Sequence, residues 1–400
     1  MQVAVIGAGI GGLAAALSLH RAGIAVDVYE AVPELRPLGV GINLLPHAVR
    51  ELTELGLADS IAGHAIATER LIYANRFGQE IWSEARGLAA GYRWPQFSIH
   101  RGTLQMLLYR AVCERIGAGH VHLGRKIASA LPQADLVVAA DGIHSAVRAR
   151  FYPDEGPPKW NCRVLWRGVT EGPPYLGGAS MVMAGHENQK FVCYPIDPQA
   201  RARGRSLINW ISELKIEGGG EWRREDWNRP GVLADFLPHF ESWQFGWLDV
   251  PAIIRGASQI FEYPMVDRDP LPRWTHRNVT LLGDAAHPMY PIGSNGASQA
   301  ILDARQLAFE LSRADIATAL ARYEDSRRPA TTKIVLMNRG NGPEQVMQMV
   351  HERAPNGFAD VHDAIARNEL EAVAANYKKA AGFDCDALNA RASLEPRVIS

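Results

Sequence analysis

The stretch Gln2-Val-Ala-Val-Ile-Gly-Ala-Gly-Ile-Gly-Gly12 decides the fold. Its first five residues form a largely β-branched run that stops at a glycine, and this pattern predicts a strand. The segment from Leu13 to Ala22 has the composition of a helix, and Ala25 to Tyr29 predicts a second apolar strand. The N-terminus is therefore predicted to be a β-α-β unit, which places the chain in the α/β class.

Three glycines of this stretch, Gly7, Gly9 and Gly12, have GxGxxG spacing between the strand and the helix. Such glycines allow a tight turn, a close approach of a pyrophosphate and close helix packing, and the helix N-terminus offers N–H groups to the anion. Glu30 ends the second strand, where a carboxylate can accept hydrogen bonds from ribose hydroxyls. A glycine-rich packing turn is the alternative, but the flanking elements favour dinucleotide binding. The motif does not decide between NAD and FAD.

Length and composition limit the class of protein. The 400 residues predict two to three folded units, and 42 Lys and Arg against 43 Asp and Glu argue against nucleic acid and acidic membranes as partners. The apolar run from Val3 to Leu19 has no basic flank before it and contains four glycines, so a buried strand and helix explain it better than a membrane span. The four cysteines lack zinc spacing, which predicts reduced thiols, no metal site and a cytoplasmic location.

The pattern of apolar and polar residues changes along the chain. Leu136 to Ala140 is a continuous apolar strand of the kind found in buried parallel sheets. Short alternating segments between residues 163 and 263 predict an antiparallel sheet. A strand from Val279 to Leu282 and a helix from about Gly296 to Ser312 again predict α/β structure. We therefore predict a discontinuous, Rossmann-like nucleotide-binding domain of residues 1–155 and 275–330, an inserted antiparallel-sheet domain of residues 156–274, and a C-terminal helical region of residues 331–400.

Two later segments each carry a carboxylate just after an apolar strand, at Asp141 and Asp284. Ligands of open α/β sheets bind at that edge. With these segments, Ala140-Asp-Gly-Ile-His-Ser-Ala-Val-Arg148 and Leu282-Gly-Asp-Ala-Ala-His287, the chain resembles the single-component FAD-dependent aromatic hydroxylases, of the p-hydroxybenzoate and salicylate hydroxylase type, and most of all their phenazine-hydroxylating members. Further matching stretches are Arg36-Pro-Leu-Gly-Val-Gly-Ile-Asn43, Ser98-Ile-His-Arg-Gly102, Trp166-Arg-Gly-Val-Thr-Glu171 and Tyr263-Pro-Met-Val-Asp-Arg-Asp-Pro-Leu-Pro272.

The resemblance extends to about Pro329, and only the last 60 to 70 residues lack a clear match. It implies an FAD-binding domain interleaved with an antiparallel-sheet substrate domain, and NADH or NADPH as a transient reductant. It further implies that O₂ adds to the reduced flavin at C4a and that the resulting hydroperoxide hydroxylates an aromatic or heteroaromatic ring. The implied partners are a small aromatic substrate and O₂, and the chain is expected to be a monomer or a homodimer.

Site residues carried over by resemblance surround the cofactor. Asp284 is expected to bind the ribityl hydroxyls, with an N-cap as the alternative. Arg101 is expected to reach the ribityl and phosphate region, although a surface arginine is what its position alone would indicate. Val40 and Gly41 belong to a loop expected to be flexible near the flavin ring.

A second group of carried-over residues belongs to the segment after the strand that ends near residue 140. Asp141 and Gly142 are expected near the pyrophosphate and the passing nicotinamide nucleotide. Ser145 and Arg148 are expected to hold that turn together.

The segment Pro291-Ile-Gly-Ser-Asn-Gly296 opens the long helix. A glycine-rich turn with a helix N-terminus can direct N–H groups at flavin N1 and the C2 carbonyl, where reduced flavin carries negative charge. The members expected to serve catalysis are Pro291, Gly293, Asn295 and Gly296. The residues expected at the wall of the substrate pocket, each with ordinary packing as the alternative, are Trp166, Arg167, Tyr194 and Met289.

The chain departs from the family between Val121 and Leu136, where only 14 residues stand in place of a three-stranded meander. At most one hairpin arm fits, so one face of the sheet is expected to be exposed or covered by another element, such as the C-terminal helices. No phosphate-loop, HExxH or GxSxG motif occurs, and Trp243-Gln-Phe-Gly-Trp247 lacks the flavin halogenase pattern. Two alternatives remain open at this point: a flavin-dependent oxidoreductase that does not insert oxygen, and a nucleotide-binding regulatory protein without turnover.

Overall fold

The structure is a computed structural model, and it describes residues 1–127, 130–217 and 229–398. The strands of these residues are β1 (Gln2–Ile6), β2 (Ala25–Tyr29), β3 (Gly41–Leu44), β4 (Ala65–Thr68), β5 (Arg70–Ala74), β6 (Glu80–Ala85), β7 (Gln96–His100), β8 (Val121–His122), β9 (Leu136–Ala139), β10 (Lys159–Gly172), β11 (Ser180–His186), β12 (Gln189–Pro195), β13 (Ser206–Lys215), β14 (Gln244–Phe245), β15 (Leu248–Asp249), β16 (Ile260–Asp267), β17 (Thr275–His276) and β18 (Val279–Leu281).

The helices of the same residues are α1 (Ile10–Arg21), α2 (Pro46–Glu54), α3 (Ala58–Ala62), α4 (Arg101–Val112), α5 (Ala146–Phe151), α6 (Pro198–Ala202), α7 (Leu233–Phe240), α8 (Val250–Arg255), α9 (Gly296–Leu311), α10 (Ile316–Arg339), α11 (Gln345–Arg353), α12 (Arg367–Ala380) and α13 (Cys385–Ala390). Within the described residues, no helix combines the length and the apolar character that crossing a membrane requires.

A six-stranded sheet forms the first half of the fold, in the order β17-β18-β9-β1-β2-β8. Five of its strands are parallel, and β17 pairs antiparallel with β18 at the edge. Val3 pairs with Val26 on one side and with Leu136 on the other. The predicted β-α-β unit is confirmed, and β9 is buried along its whole length, as a continuous apolar run requires. Helix α1 packs against α4 and α9.

A seven-stranded sheet forms the second half, in the order β16-β10-β13-β12-β11-β5-β6. The central strands are antiparallel, as the alternating pattern predicts. The prediction is wrong for residues 70–85, which it assigned to the nucleotide-binding domain, because β5 pairs in parallel with β11 and β6 follows it. A pairing that joins Leu71 to Met181 leaves no trace in the local sequence pattern. We propose that the remaining domain boundaries are as predicted, and limited proteolysis can test them.

The shortened region after Val121 contributes only β8, two residues long and parallel to β2, in place of a hairpin arm; residues 128–129 lie outside the described part of the chain. Partly buried side chains that pack on the core next to this sheet include Leu131, Ala134 and Phe151. The C-terminal helices pack elsewhere, since Tyr377 and Leu388 share a separate cluster with Leu45 and Tyr92.

Candidate functional site

The glycine-rich loop between β1 and α1 leaves a space above the helix N-terminus. A Cβ at Gly7 (φ +103°) would lie 2.4 Å from the Ala140 carbonyl oxygen, and one at Gly12 would lie 1.9 Å from the Gly7 oxygen. Both positions therefore require glycine for packing. A Cβ at Gly9 would meet no atom within 4 Å, so this glycine borders open space over the first turn of α1. That space lies where backbone N–H groups of a helix can receive an anion.

Glu30 joins the end of β2 to this loop. Its carboxylate accepts hydrogen bonds from the backbone N–H of Ala8 at 2.7 Å and of Val32 at 3.0 Å. Gln105 on α4 donates to the Ala8 carbonyl oxygen at 2.8 Å. These contacts fix the loop and leave Glu30 partly exposed at the same edge of the sheet.

Asp284 and Arg101 lie at a cleft at this edge, and their opposite charges interact. Asp284 is exposed although Leu282, Gly283 and Ala285 around it are buried. The protein atoms around the cleft partly desolvate the carboxylate, and this desolvation raises the pKa of Asp284. The positive charge of Arg101 acts in the opposite direction. The Arg101 side chain is also exposed to the cleft, where desolvation lowers its pKa and the Asp284 carboxylate offsets part of that effect.

Asp141 contributes a second carboxylate to the cleft edge. Its Oδ2 atom accepts a hydrogen bond from the Ala146 N–H at 2.9 Å. Its Oδ1 atom is buried and finds no hydrogen-bond partner among the described residues. Gly142 has φ +80°, and a Cβ there would meet nothing within 4 Å. Desolvation raises the pKa of Asp141, and an incoming hydroxyl or N–H group would satisfy its free oxygen.

Ser145 and Arg148 hold this turn together, as expected. The Ser145 hydroxyl accepts a hydrogen bond from the Arg148 N–H at 2.9 Å. The buried Arg148 guanidinium donates to the carbonyl oxygens of Ala285 at 3.1 Å and Ala286 at 3.0 Å. Arg148 therefore also ties the Asp141 turn to the Asp284 loop, a link that the sequence pattern does not reveal.

The turn from Pro291 to Gly296 rests on the C-terminal helix α12. A Cβ at Gly293 (φ +68°) would lie 2.1 Å from the Tyr377 hydroxyl, so only glycine fits. Asn295 is buried, and its amide donates to the same hydroxyl at 2.9 Å. A Cβ at Gly296 would meet nothing within 4 Å, so the N-terminus of α9 borders open space. The side chain of Asn295 thus holds the turn from behind, and the free side belongs to the backbone.

A buried polar network joins this turn to the Asp284 loop, and sequence reasoning missed it. Asp303 on α9 contacts His287 Nε2 at 2.5 Å and Arg327 Nε at 2.7 Å. Burial alone would raise the pKa of Asp303, but these two partners outweigh it and lower the pKa to about 2. Arg327 also donates to the Gln299 amide oxygen at 2.6 Å, and Gln299 donates to Asn295 at 3.2 Å. The signal available in the sequence was Asp303 itself, a polar residue on the buried face of a predicted helix, because such a residue needs hydrogen-bond partners.

Two of the expected pocket residues lie on one face of the seven-stranded sheet. Arg167 donates to the Gly41 carbonyl oxygen at 3.0 Å, and Gly41 donates to Asn209 at 2.6 Å. Tyr194 lies in the hydrophobic cluster on this face, and burial raises the pKa of Tyr194 to about 12, with Arg167 acting in the opposite direction. The Val40 carbonyl oxygen accepts a hydrogen bond from the Arg101 N–H at 2.8 Å. The structure therefore brings the Val40–Gly41 loop, Arg101 and Arg167 together.

The other two pocket candidates are placed differently. Trp166 lies on the opposite face of β10 from Arg167, and it stacks on Phe236 with ring centroids 4.9 Å apart. This contradicts the expectation that Trp166 lines the pocket, because consecutive residues of a strand point to opposite faces. Met289 packs against the cluster that contains Tyr377.

A cavity of about 20 Å³, with room for little more than one water molecule, adjoins Gly293 and Ser294. Its apolar lining includes Leu71, Met181 and Met183 of the seven-stranded sheet, Leu45 just before α2, and Phe383 of the C-terminal segment. Its polar lining was missed by sequence reasoning and consists of Tyr73, Glu84, Arg86, Gln96 and Lys378. Burial raises the pKa of Glu84, but Arg86 and Lys378 outweigh that effect, so the pKa lies below its ordinary value.

Comparison with known proteins agrees with this geometry. The family model described as FAD binding domain matches residues 1–106 and 257–337. Phenazine 1,6-dicarboxylic acid hydroxylase PhzS of Lysobacter antibioticus is 47% identical over 368 residues, which cover 84% of this chain and 89% of the relative. The 3-amino-4-hydroxybenzoate 2-monooxygenase PtmB3 of Streptomyces platensis is 31% identical over 362 residues, covering 86% of this chain and 88% of the relative.

Solved structures share the fold. A salicylate hydroxylase substrate complex covers 97% of both chains with a TM-score of 0.73 and 22% identity. Klebsiella pneumoniae HpxO complexed with FAD and uric acid covers 97% of this chain and 96% of that chain, with a TM-score of 0.72 and 24% identity. Both align across the two large sheets and the C-terminal helices alike, since almost the whole chain is covered.

Proposed function

The chain belongs to the family of FAD-dependent aromatic hydroxylases, and from that premise we propose which of its residues bind the cofactor and which rings it hydroxylates. The enzyme is a monooxygenase that uses NAD(P)H and O₂. The overall reaction converts NAD(P)H, a proton, O₂ and an aromatic C–H group into NAD(P)⁺, water and the hydroxylated ring. One oxygen atom enters the product and the other leaves as water.

The cleft at the carboxyl edge of the six-stranded sheet fits FAD. Asp284 is exposed within a buried loop, the Oδ1 atom of Asp141 is buried without a partner in the described chain, and the space over Gly9 would admit a pyrophosphate. We assign Asp284 and Arg101 to the ribityl and phosphate region, and Glu30 to the ribose. The exposed carboxylate of Asp284 is the observation that supports this assignment most directly, because it is open to hydroxyl donors of a ligand at the sheet edge where α/β folds bind their ligands.

Bound FAD would supply the redox chemistry, taking reducing equivalents from NAD(P)H and activating O₂. The chain supplies position and charge. The N-terminus of α9 at Gly296 would direct N–H groups and the positive end of the helix dipole at the pyrimidine edge of the flavin, where reduction places negative charge. Tyr377 and Asn295 keep that turn in place, and Arg167 holds Gly41 on the other side of the ring site. The apolar lining of the pocket keeps water away from the reacting atoms.

We propose that the substrate is an aromatic or heteroaromatic ring of the phenazine or hydroxybenzoate type. The most similar relatives named above act on a phenazine dicarboxylic acid and on an aminohydroxybenzoate. The walls of the small cavity beside Gly293 suit the same class in character, because Met181, Met183 and Phe383 are apolar and one wall is polar, and a ring enters only when these side chains move. Met side chains adapt to flat rings of different size.

The test is hydroxylation with labelled oxygen. The FAD-loaded enzyme is supplied with NADH or NADPH and ¹⁸O₂, and each of a set of phenazines and hydroxybenzoates is added in turn. We expect the reductant to be consumed faster with a substrate and the product to contain one ¹⁸O atom. Substrate oxidation without label would identify an oxidoreductase that does not insert oxygen. The absence of any substrate-stimulated turnover would indicate a regulatory protein, and either result would overturn the proposal.

We also propose that the enzyme acts in the cytoplasm, as a monomer or a homodimer. The cysteines of the chain are all free thiols, which fits a reducing compartment where NAD(P)H is available. Cell fractionation and analytical ultracentrifugation test the two statements separately.

A further inference from the structure

The cavity beside Gly293 is too small for an aromatic ring. Its volume is about 20 Å³, whereas pockets that bind small molecules enclose about 300 Å³ or more. Gly293 belongs to the turn at which the proposed function places the flavin, so the ring to be hydroxylated has to reach this space. Part of the cavity wall therefore moves before the substrate binds.

Most of the wall is fixed in place. Leu71 and Met181 are partners in the ladder between β5 and β11, so their backbones cannot move apart without breaking the seven-stranded sheet. The Tyr377 hydroxyl accepts a hydrogen bond from Asn295 at 2.9 Å and thereby supports the turn itself. Movement of these parts of the wall would disrupt the sheet or the turn.

The segment of residues 382–390, which we call the flap, is held less firmly. It contains Phe383 and helix α13. Among the described residues, no backbone-to-backbone hydrogen bond joins the flap to any residue outside 378–391. Gly382 at its start has φ +76°, and a Cβ there would meet nothing within 4 Å, so this position has the space to act as a hinge.

Hydrogen bonds of side chains close the flap onto the loop before β7. The Asn389 amide donates to the Gly91 carbonyl oxygen at 2.9 Å, and its oxygen accepts a hydrogen bond from the Arg93 N–H at 3.0 Å. The Tyr92 hydroxyl donates to the Phe383 carbonyl oxygen at 2.5 Å. Such contacts can break and form again without the unfolding of a strand or a long helix.

Phe383 is the residue of the flap that faces the cavity. Its side chain is 2% exposed and lines the cavity together with Leu45 and Tyr377. Its ring stacks on that of His47 with centroids 5.5 Å apart. Because protein interiors are close-packed, this buried ring occupies space beside the turn that a substrate ring needs.

We infer that the flap opens to admit the substrate and that Phe383 is the gate residue, whose side chain the entering ring displaces. The inference rests on the proposed function, because it concerns the ring that binds beside the same turn. Three fused rings displace more of the Phe383 side chain than a single ring does. Phe383 therefore determines which rings bind, and a smaller side chain at this position favours large ones.

Ligand binding to the FAD-loaded enzyme tests the role of Phe383. The probes are phenazine-1,6-dicarboxylate, which has three fused rings, and 3-amino-4-hydroxybenzoate, which has one. Their Kd values are read from the change in flavin absorbance. We compare the wild type with Phe383→Ala, and with Ile334→Ala as a matched control. Ile334 is 1% exposed and belongs to the same hydrophobic cluster as Phe383, but it lies on α10 and is not among the described residues that line the cavity.

Phe383→Ala should bind the phenazine about tenfold or more tightly than the wild type, because the ring no longer has to displace a buried side chain. The gain for the single ring should be smaller, about threefold or less, and Ile334→Ala should change both Kd values by less than about twofold. If Phe383 were only a wall that packs on the ring, its removal would weaken binding. That result, an equal gain for both probes, or a Phe383→Ala variant that binds neither probe would overturn the inference.

A reversible cross-link tests the movement of the flap. A Cβ at Gly91 would lie 3.8 Å from the Sγ atom of Cys385, so Gly91→Cys places two thiols within reach of a disulfide across the closed flap. Diamide oxidises the two thiols to the disulfide, dithiothreitol reduces it, and mass spectrometry verifies both states. Gly91→Ser is the control, because it has the same backbone strain at φ +86° and cannot form the disulfide.

The Kd of the cross-linked enzyme for the phenazine should be about tenfold or more above that of the reduced enzyme, and dithiothreitol should restore it. Gly91→Ser should respond to neither reagent. Equal Kd values for the verified cross-linked and reduced forms would contradict an opening flap. Both binding tests are independent of the labelled-oxygen experiment. Labelled product from an enzyme whose flap does not control binding would leave the proposed function standing alone, whereas a flap that controls binding without labelled product would leave only the gate.

Discussion

Removing the charge of Asp303 should both destabilise the enzyme and weaken FAD binding. The substitution is Asp303→Asn, which keeps the shape of the side chain and removes its charge. Asp303 is fully buried between His287 and Arg327, so the variant leaves at least one buried guanidinium without its counter-ion. Its Oδ2 atom also accepts a hydrogen bond from the Gly283 N–H at 3.1 Å, which positions the loop that presents Asp284.

Two independent estimates give the size of the loss. The pKa of Asp303 lies at about 2 instead of 3.8, and this shift corresponds to about 2 to 3 kcal/mol of stability. Breaking a buried ion pair by removing one partner costs about 3 to 5 kcal/mol. A 400-residue unit has an unfolding entropy of about 0.8 kcal/mol per kelvin at its midpoint, so the Tm should fall by about 3 to 6 °C.

The sign of the pH dependence follows from the depressed pKa of Asp303. The stabilisation is fully present above the unfolded pKa of about 3.9 and is lost as the pH falls through the folded value of about 2. The Tm difference between wild type and variant should therefore be present throughout the range from about pH 5 to 8.

The assay is thermal unfolding of the FAD-free and FAD-loaded proteins, combined with a flavin fluorescence titration for the Kd of FAD. Asp315→Asn is the control, because Asp315 is an exposed N-cap that accepts the Thr318 N–H at 3.1 Å and asparagine caps almost as well. We expect the control to change the Tm by less than about 1 °C. A Tm of Asp303→Asn equal to that of the control, with an unchanged Kd for FAD, would refute the reasoning.

Two further predictions concern the loop and the turn that border the cofactor. Gly9→Ala should leave the Tm of the FAD-free protein unchanged, because its Cβ meets open space, but it should weaken FAD binding by about tenfold or more. Gly12→Ala should lower the Tm by about 1 to 4 °C, because its Cβ would lie 1.9 Å from the Gly7 oxygen. A larger loss of Tm in Gly9→Ala than in Gly12→Ala would contradict this prediction. Tyr377→Phe removes the hydroxyl that accepts a hydrogen bond from Asn295 at 2.9 Å, and it should lower the free energy of unfolding by about 1 to 3 kcal/mol. It should also lower kcat more than it raises KM. A change in KM alone would argue against a role of Tyr377 in positioning the turn.

The nucleotide-binding half could be predicted largely from the sequence because its signals are local. The spacing of Gly7, Gly9 and Gly12 and the carboxylate of Glu30 depend on one strand, one turn and one helix in direct succession. Asp141 and Asp284 each follow a short apolar strand, and parallel strands bring their carboxyl ends to one edge. The structure accordingly places all of these residues at a single cleft edge.

The substrate half could be predicted only as a sheet. Alternation revealed strands, but it could not tell which face of β10 meets the site, and so Trp166 and Arg167 were both expected at the pocket although they point to opposite faces. It also could not show that β5 joins β11 across more than a hundred residues. The polar wall of the pocket includes Tyr73 on β5 and Arg86 just after β6. Because the sequence pattern did not place these strands in this sheet, both residues were missed.

The sequence by itself determined the class of the fold, the dinucleotide loop and the carboxylates at the strand ends, because each of these is a property of consecutive residues. The tertiary structure alone decided what lines the cavity beside Gly293 and what supports the turn from Pro291 to Gly296. Tyr377 and Lys378 come from a tail that carries no motif, and Asp303 becomes important only when α9 buries it between two other segments. A local pattern records the period of an element and its ends, whereas the partners of a buried charge depend on which elements meet across the core.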